Sequence, residues 1–87
     1  MFVILTYDVE VNRINRVRKL LKKYLIWTQN SVFEGEISQG KLNKCLAEIE
    51  QIIKKEYDSI YIYMIKSSKF ITKEVLGEEK GFEDIFL

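Results

Sequence analysis

Phe2-Val3-Ile4-Leu5-Thr6-Tyr7-Asp8 is the stretch on which the fold turns. Phe2 to Tyr7 is a near-continuous apolar run of β-branched and aromatic residues, of the length of a strand buried on both faces. It is far too short to span a bilayer. Asp8 ends it. From Asn12, a candidate N-cap, the period changes to that of a helix. Ile14, Val17, Leu20, Leu21, Tyr24 and Leu25 form one apolar stripe,. The opposite side carries Arg13, Arg16, Arg18, Lys19, Lys22 and Lys23 with no acid among them.

The rest of the chain is read in the same way. Thr28 to Ile37 reads as a strand, with Gly35 marking a bulge or a close backbone approach. Ser38 is placed to cap a second helix, whose apolar positions are Leu42, Cys45, Leu46, Ile49, Ile52 and Ile53,. Ser59 to Ile65 reads as a strand apolar on both faces. Phe70 to Leu76 reads as a shorter, more polar strand closed by Gly77, and Phe82 to Leu87 as an apolar terminal strand. We take the whole of residues 1–87 as one α+β domain of the ferredoxin-like β-α-β-β-α-β type, with an additional C-terminal strand.

Composition narrows the function. A chain of 87 residues buries only about 60–65% of its unfolded surface, so a partner surface is a welcome source of stability,. Strands apolar on both faces, and 11 aromatic residues (five Tyr, five Phe, one Trp), leave a sheet face with nothing in the chain to cover it,. Closed two-fold dimers are the commonest solution, and a homodimer is expected. The net charge is only +1, so the total announces no polyanion partner. The distribution is more informative, since all three arginines lie between positions 13 and 18. A lone cysteine, Cys45, on an apolar helix face suits core packing in a reducing cytoplasm. No export or membrane segment is read, and the protein is expected to be cytoplasmic.

With no histidine, His-based acid–base, relay and zinc chemistry are excluded,. Catalysis would run on carboxylates, Tyr, Ser, Lys or a metal. Asp8 stands at the carboxyl end of the first strand, a favoured ligand position in sheets. Mg²⁺ keeps several waters and accepts one or two carboxylates, and a two-fold axis can bring a second Asp8. The competing reading is an Asx-type turn after the strand. The Arg13–Lys23 face suits a nucleic-acid backbone, or is simply solvated. Ser31 can donate to a phosphate or satisfy local backbone. Trp27 can stack on a base or pack, and Tyr7 can border a site beside Asp8 or pack.

Taken together, the strand ending Tyr7-Asp8, the arginine-bearing helix, Gln29-Asn30-Ser31-Val32-Phe33-Glu34-Gly35, Asp58-Ser59-Ile60-Tyr61-Ile62-Tyr63 and Val75-Leu76-Gly77 resemble the CRISPR-associated Cas-two family over essentially the whole chain. The resemblance implies a homodimer with Asp8 facing its twin across a cleft and binding Mg²⁺. It implies metal-dependent endonuclease activity on single-stranded RNA or duplex DNA. It also implies a role in spacer acquisition, bridging CRISPR integrase dimers on the DNA to be inserted. By the same resemblance Asp8 is the catalytic and metal residue, with Tyr7 its neighbour. Arg16 is a basic helix residue near the cleft, and Ser31 and Phe33 belong to the second-strand motif beside it. The contrasting expectation is a ferredoxin-like regulatory or interaction module without enzymatic activity.

Overall fold

The computed structural model describes residues 1–79. The terminal strand expected at 82–87 lies outside the described residues. Strands β1 (Phe2–Asp8), β2 (Ile26–Gln29), β3 (Val32–Glu36) and β4 (Ser59–Ile65) form one sheet in the order β2-β3-β1-β4. Every pairing is antiparallel. Helix α1 (Val11–Leu21) connects β1 to β2, and α2 (Gln39–Glu50) connects β3 to β4. This is the expected β-α-β-β-α-β order, and β1 lies in the interior of the sheet with β3 on one side and β4 on the other.

The two strands between the helices come from the segment expected as one. Thr28–Ile37 is interrupted at Asn30, whose φ of 35° is the left-handed conformation that Asn tolerates better than most residues,. The chain reverses there, and β2 and β3 pair as a hairpin. The irregularity expected at Gly35 sits instead in β2, where the register shifts between Trp27 and Gln29. Gly35 pairs with Val3 without a break, and a Cβ there would lie 3.5 Å from Leu25. Nor does Phe70 to Leu76 form a strand. Ser68–Phe70 is a short 3-10 helix, and residues 71–75 are irregular. Among the described residues this segment has no ladder partner.

Strand parity divides the sheet. Val3, Leu5 and Tyr7 of β1 face the helices and are buried, joined by Phe33 of β3. Val17, Leu20 and Leu21 of α1 and Leu42, Cys45 and Ile49 of α2 complete this core. The opposite face has no helix. Ile4 pairs with Tyr63 and Glu34, and Thr6 pairs with Tyr61 and Val32, so all six share it. Tyr61 and Tyr63 are more than half exposed there, as is Ile26 opposite Glu34. Beyond β4 the chain returns along this face, and Lys73 Nζ reaches Glu34 at 2.7 Å.

The helix ends follow local chemistry. Ser38 caps α2 as expected, its hydroxyl oxygen accepting from the Lys41 N–H at 3.2 Å,. Helix α1 begins one residue before Asn12, with Glu10 at the N-cap and no side-chain cap of its own. Its start is held from elsewhere. Lys22, at the C-cap, and Lys23, in the turn beyond, lie past the last helical residue.

Candidate metal and nucleic-acid site

Asp8 is the last residue of β1 and pairs with Ser59. Alternation places it on the open face with Ile4 and Thr6, and it is exposed,. Its carboxylate makes no hydrogen bond or ion pair with any described residue. The Asx-turn reading is thereby set aside, because that turn needs the side chain to accept from backbone nearby. An exposed, uncommitted carboxylate is a hard oxygen donor of the kind Mg²⁺ accepts. Among the described residues no group of three or more Cys, Asp and Glu side chains converges. Asp8 therefore fits Mg²⁺ only as part of a set completed by water or a second chain.

The turn carrying Asp8 into α1 is fastened by Asp58, which immediately precedes β4. Its side chain is fully buried. Oδ1 accepts from the Glu10 backbone N–H at 3.0 Å and from Arg13 Nη2 at 2.9 Å. Oδ2 accepts from Arg13 Nε at 2.6 Å and from the Lys54 N–H at 2.9 Å. Both carboxylate oxygens are therefore doubly satisfied, and the Arg13 fork is bidentate. The Arg13 guanidinium holds the Asp58 carboxyl well below the usual carboxylate range. Burial opposes this, and the two backbone N–H groups reinforce it,. No local sequence signal marks Asp58, since its partner Arg13 lies 45 positions away.

This corrects one part of the expected basic face. Arg13 is buried in that ion pair and is unavailable to a phosphate. Arg16, Lys19, Lys22 and Lys23 are exposed. Arg18 is half-buried, its guanidinium carbon 5.3 Å from the Trp27 ring centroid, and its Nε is buried without a hydrogen-bond partner. Trp27 donates its indole N–H to the Asn30 carbonyl at 2.9 Å, which fixes the ring beneath Arg18.

The residues expected to border a cleft lie deeper than that. Phe33 is fully buried and Tyr7 nearly so, their ring centroids 6.2 Å apart. Both point into the helix-covered core, on the opposite side of the sheet from Asp8. Burial raises the Tyr7 hydroxyl pKa, and the positive charge of Arg18 partly offsets the rise. Ser31 is half-buried, and its carbonyl accepts from the Tyr7 N–H at 3.1 Å. Strand parity was the available signal: Tyr7 and Asp8 are adjacent, so their side chains must face opposite ways.

The sequence profile of the family described as "CRISPR associated protein Cas2" matches residues 1–72. The chain is 54% identical over 79 residues to "CRISPR-associated endoribonuclease Cas2 3" of Thermodesulfovibrio yellowstonii, covering 91% of this chain and 90% of that one. It is 45% identical over 87 residues to "CRISPR-associated endoribonuclease Cas2" of Thermotoga maritima, covering 100% and 99%. Its fold is similar to a crystal structure of Cas2 with a TM-score of 0.82 at 48% identity, covering 92% and 90% of the two chains. It is also similar to Streptococcus pyogenes Cas2 at pH 6.5, with a TM-score of 0.75 at 33% identity, covering 88% and 100%. By profile, by sequence over nearly its whole length and by fold, this chain belongs to the CRISPR associated Cas2 family.

Proposed function

We propose that the protein is a homodimeric, Mg²⁺-dependent phosphodiesterase of CRISPR adaptation that acts on RNA or DNA in the cytoplasm and bridges integrase dimers. The observation that carries the reading is Asp8, exposed at the end of β1 with its carboxylate free of any described partner. A buried structural Asp in the same chain, Asp58, accepts four hydrogen bonds. Of the two aspartates among the described residues, Asp8 is the one whose carboxylate is open to a ligand. The relatives' names, which call them endoribonucleases, support the same chemistry.

The second copy has a surface to meet. Ile26, Tyr61 and Tyr63 are 63%, 57% and 55% exposed on the helix-free face. A two-fold axis running along the strands of that face would bring the two β1 ends, and with them two Asp8 carboxylates, into one cleft. When bound there, Mg²⁺ lowers the pKa of a water and offsets charge on a phosphate. Asp8 holds the ion. Arg16, Lys19, Lys22 and Lys23 hold the backbone of the substrate without reading its sequence. The apolar sequence Phe82–Leu87 is a segment suited to adding a strand to a partner's sheet.

The test is cleavage of labelled single-stranded RNA and duplex DNA by wild type and Asp8→Ala, with Mg²⁺ and with chelator. Mg²⁺-dependent cleavage absent from the variant is expected, and the preferred polymer names the substrate. Wild type inert on both polymers would remove the enzymatic part. A second reading, a bridging scaffold without cleavage, is favoured by the lack of any cluster of three or more acidic or cysteine side chains among the described residues. It is recognised by duplex binding that persists unchanged in Asp8→Ala.

A further inference from the structure

We infer that Asp58 is a positioning residue for Asp8, acting through the Glu10 backbone N–H; this inference rests on the reading of Asp8 as the metal carboxylate. Asp8 and Asp58 lie at matching ends of neighbouring strands. Asp8 is paired in the ladder with Ser59, the residue directly after Asp58. Two residues past Asp8, the Glu10 N–H donates to Asp58 Oδ1 at 3.0 Å. The dipeptide Asp58-Ser59 therefore grips the chain on both sides of the Asp8 side chain, by the ladder at residue 8 and by the carboxylate at residue 10.

Asp58 is itself immobilised. Arg13 clamps both of its oxygens from the first turn of α1, and the Lys54 N–H closes the turn that delivers it. With the Asp8 backbone fixed, the carboxylate retains only its own two side-chain torsions. A metal taking one carboxylate from each chain would depend on that placement, since each carboxylate would have to reach it from its own β1 end. Partners that orient a ligand in this way typically change metal affinity or activity by about 10–100-fold when removed.

The chain offers a way to cut this link from the Glu10 side, with Arg13 and Asp58 themselves unsubstituted. Glu10 has φ −59° at the N-cap, already the value proline imposes,. Glu10→Pro therefore deletes the N–H that reaches Asp58, and its ring Cδ takes the place of that hydrogen against Oδ1, so the carboxylate must draw back from residue 10,. Glu10→Ala removes the side chain alone, including its 4.0 Å contact with Arg13, and keeps the N–H.

The measurement is Mn²⁺ binding followed by electron paramagnetic resonance on purified full-length protein, for wild type, Asp8→Ala, Glu10→Ala, Glu10→Pro and Asp58→Asn. Thermal melting of each variant is recorded alongside. Wild type is expected to bind Mn²⁺ at a site absent from Asp8→Ala, with Glu10→Ala unchanged. Glu10→Pro is expected to bind about tenfold more weakly, and Asp58→Asn to do so as well wherever it folds. Folded Glu10→Pro that binds Mn²⁺ as tightly as Glu10→Ala overturns the positioning role while leaving Asp8 as the ligand. Wild-type binding that survives Asp8→Ala, or no wild-type binding at all, overturns the metal reading and this inference together.

Discussion

The guanidinium carbon of Arg18 lies 5.3 Å from the centre of the Trp27 ring, so one cation of the basic helix is tethered to β2 while its neighbours extend into solvent. The helix thus carries cations in three different states. Arg13 is committed to a buried carboxylate, Arg18 is stacked, and Arg16 and Lys19 are exposed. These states predict different consequences of substitution.

Arg16→Ala and Lys19→Ala are each expected to weaken duplex binding about equally for all sequences. Each should also reduce the slope of log affinity against log salt by about one. Arg13→Ala is expected to leave that slope unchanged in whatever protein remains folded, and to lower the melting temperature instead. Fluorescence anisotropy titrations at four salt concentrations, with melting curves for each variant, separate the two effects. A slope change in folded Arg13→Ala would contradict its assignment to the interior.

Phe33→Ala removes a fully buried ring and is expected to cost about 3–5 kcal/mol,. That is comparable to the entire stability of a small domain, for which about 5 kcal/mol is a low but ordinary value. Any loss of activity in this variant should track the unfolded fraction seen by circular dichroism. Activity lost from fully folded Phe33→Ala would place the ring at the site after all.

Cys45 is buried, and burial pushes its thiol up to about 11. The native protein should therefore react with a thiol reagent at pH 8 only as fast as it opens, and immediately in denaturant. The shift also sets a stability trend. The folded state favours the protonated thiol, so this contribution is complete below the unfolded value near pH 8.5 and declines as pH rises towards about 11. Urea midpoints compared between wild type and Cys45→Ala from pH 8 to pH 10.5 should converge at the alkaline end. Rapid native labelling at pH 8 would contradict the burial.

Acid should act through Asp58. Its folded-state pKa is depressed, first by the Arg13 hydrogen bonds. The resulting stability is fully present above the unfolded value near pH 4 and is lost as pH falls below it. Wild type is therefore expected to lose stability steeply between about pH 4 and pH 2, and Asp58→Asn, already weakened at pH 7, to lose less over that interval. Denaturation midpoints across the range provide the check; parallel curves would mean that another carboxylate governs acid unfolding.

What the sequence made legible follows the range of each interaction. The period of β1, the helical stripe of α1 and the Ser38 cap are set by neighbours within a few positions, and each is visible in the chain. The Asn30 reversal was written in Gln29-Asn30-Ser31 but hidden by flanking residues that all favour strand. Asp8 could be singled out because it ends an apolar run. The removal of Arg13 from the basic face depends on a contact spanning 45 positions that no local pattern records. Tyr7 and Phe33 illustrate the converse case, where parity alone fixes the facing and the helices decide which face is buried.

The interior position of β1 also governs the timing of folding. This strand precedes both of its neighbours in the chain, and one of them is complete only at residue 36 and the other only at residue 65. For most of translation the growing chain therefore carries an apolar strand with at least one unsatisfied edge, the kind of segment that recruits wrong partners. The Asp8 turn is fastened later still than β3, by a residue at position 58. A chain that ends before residue 58 consequently lacks the carboxylate that fastens the turn after Asp8.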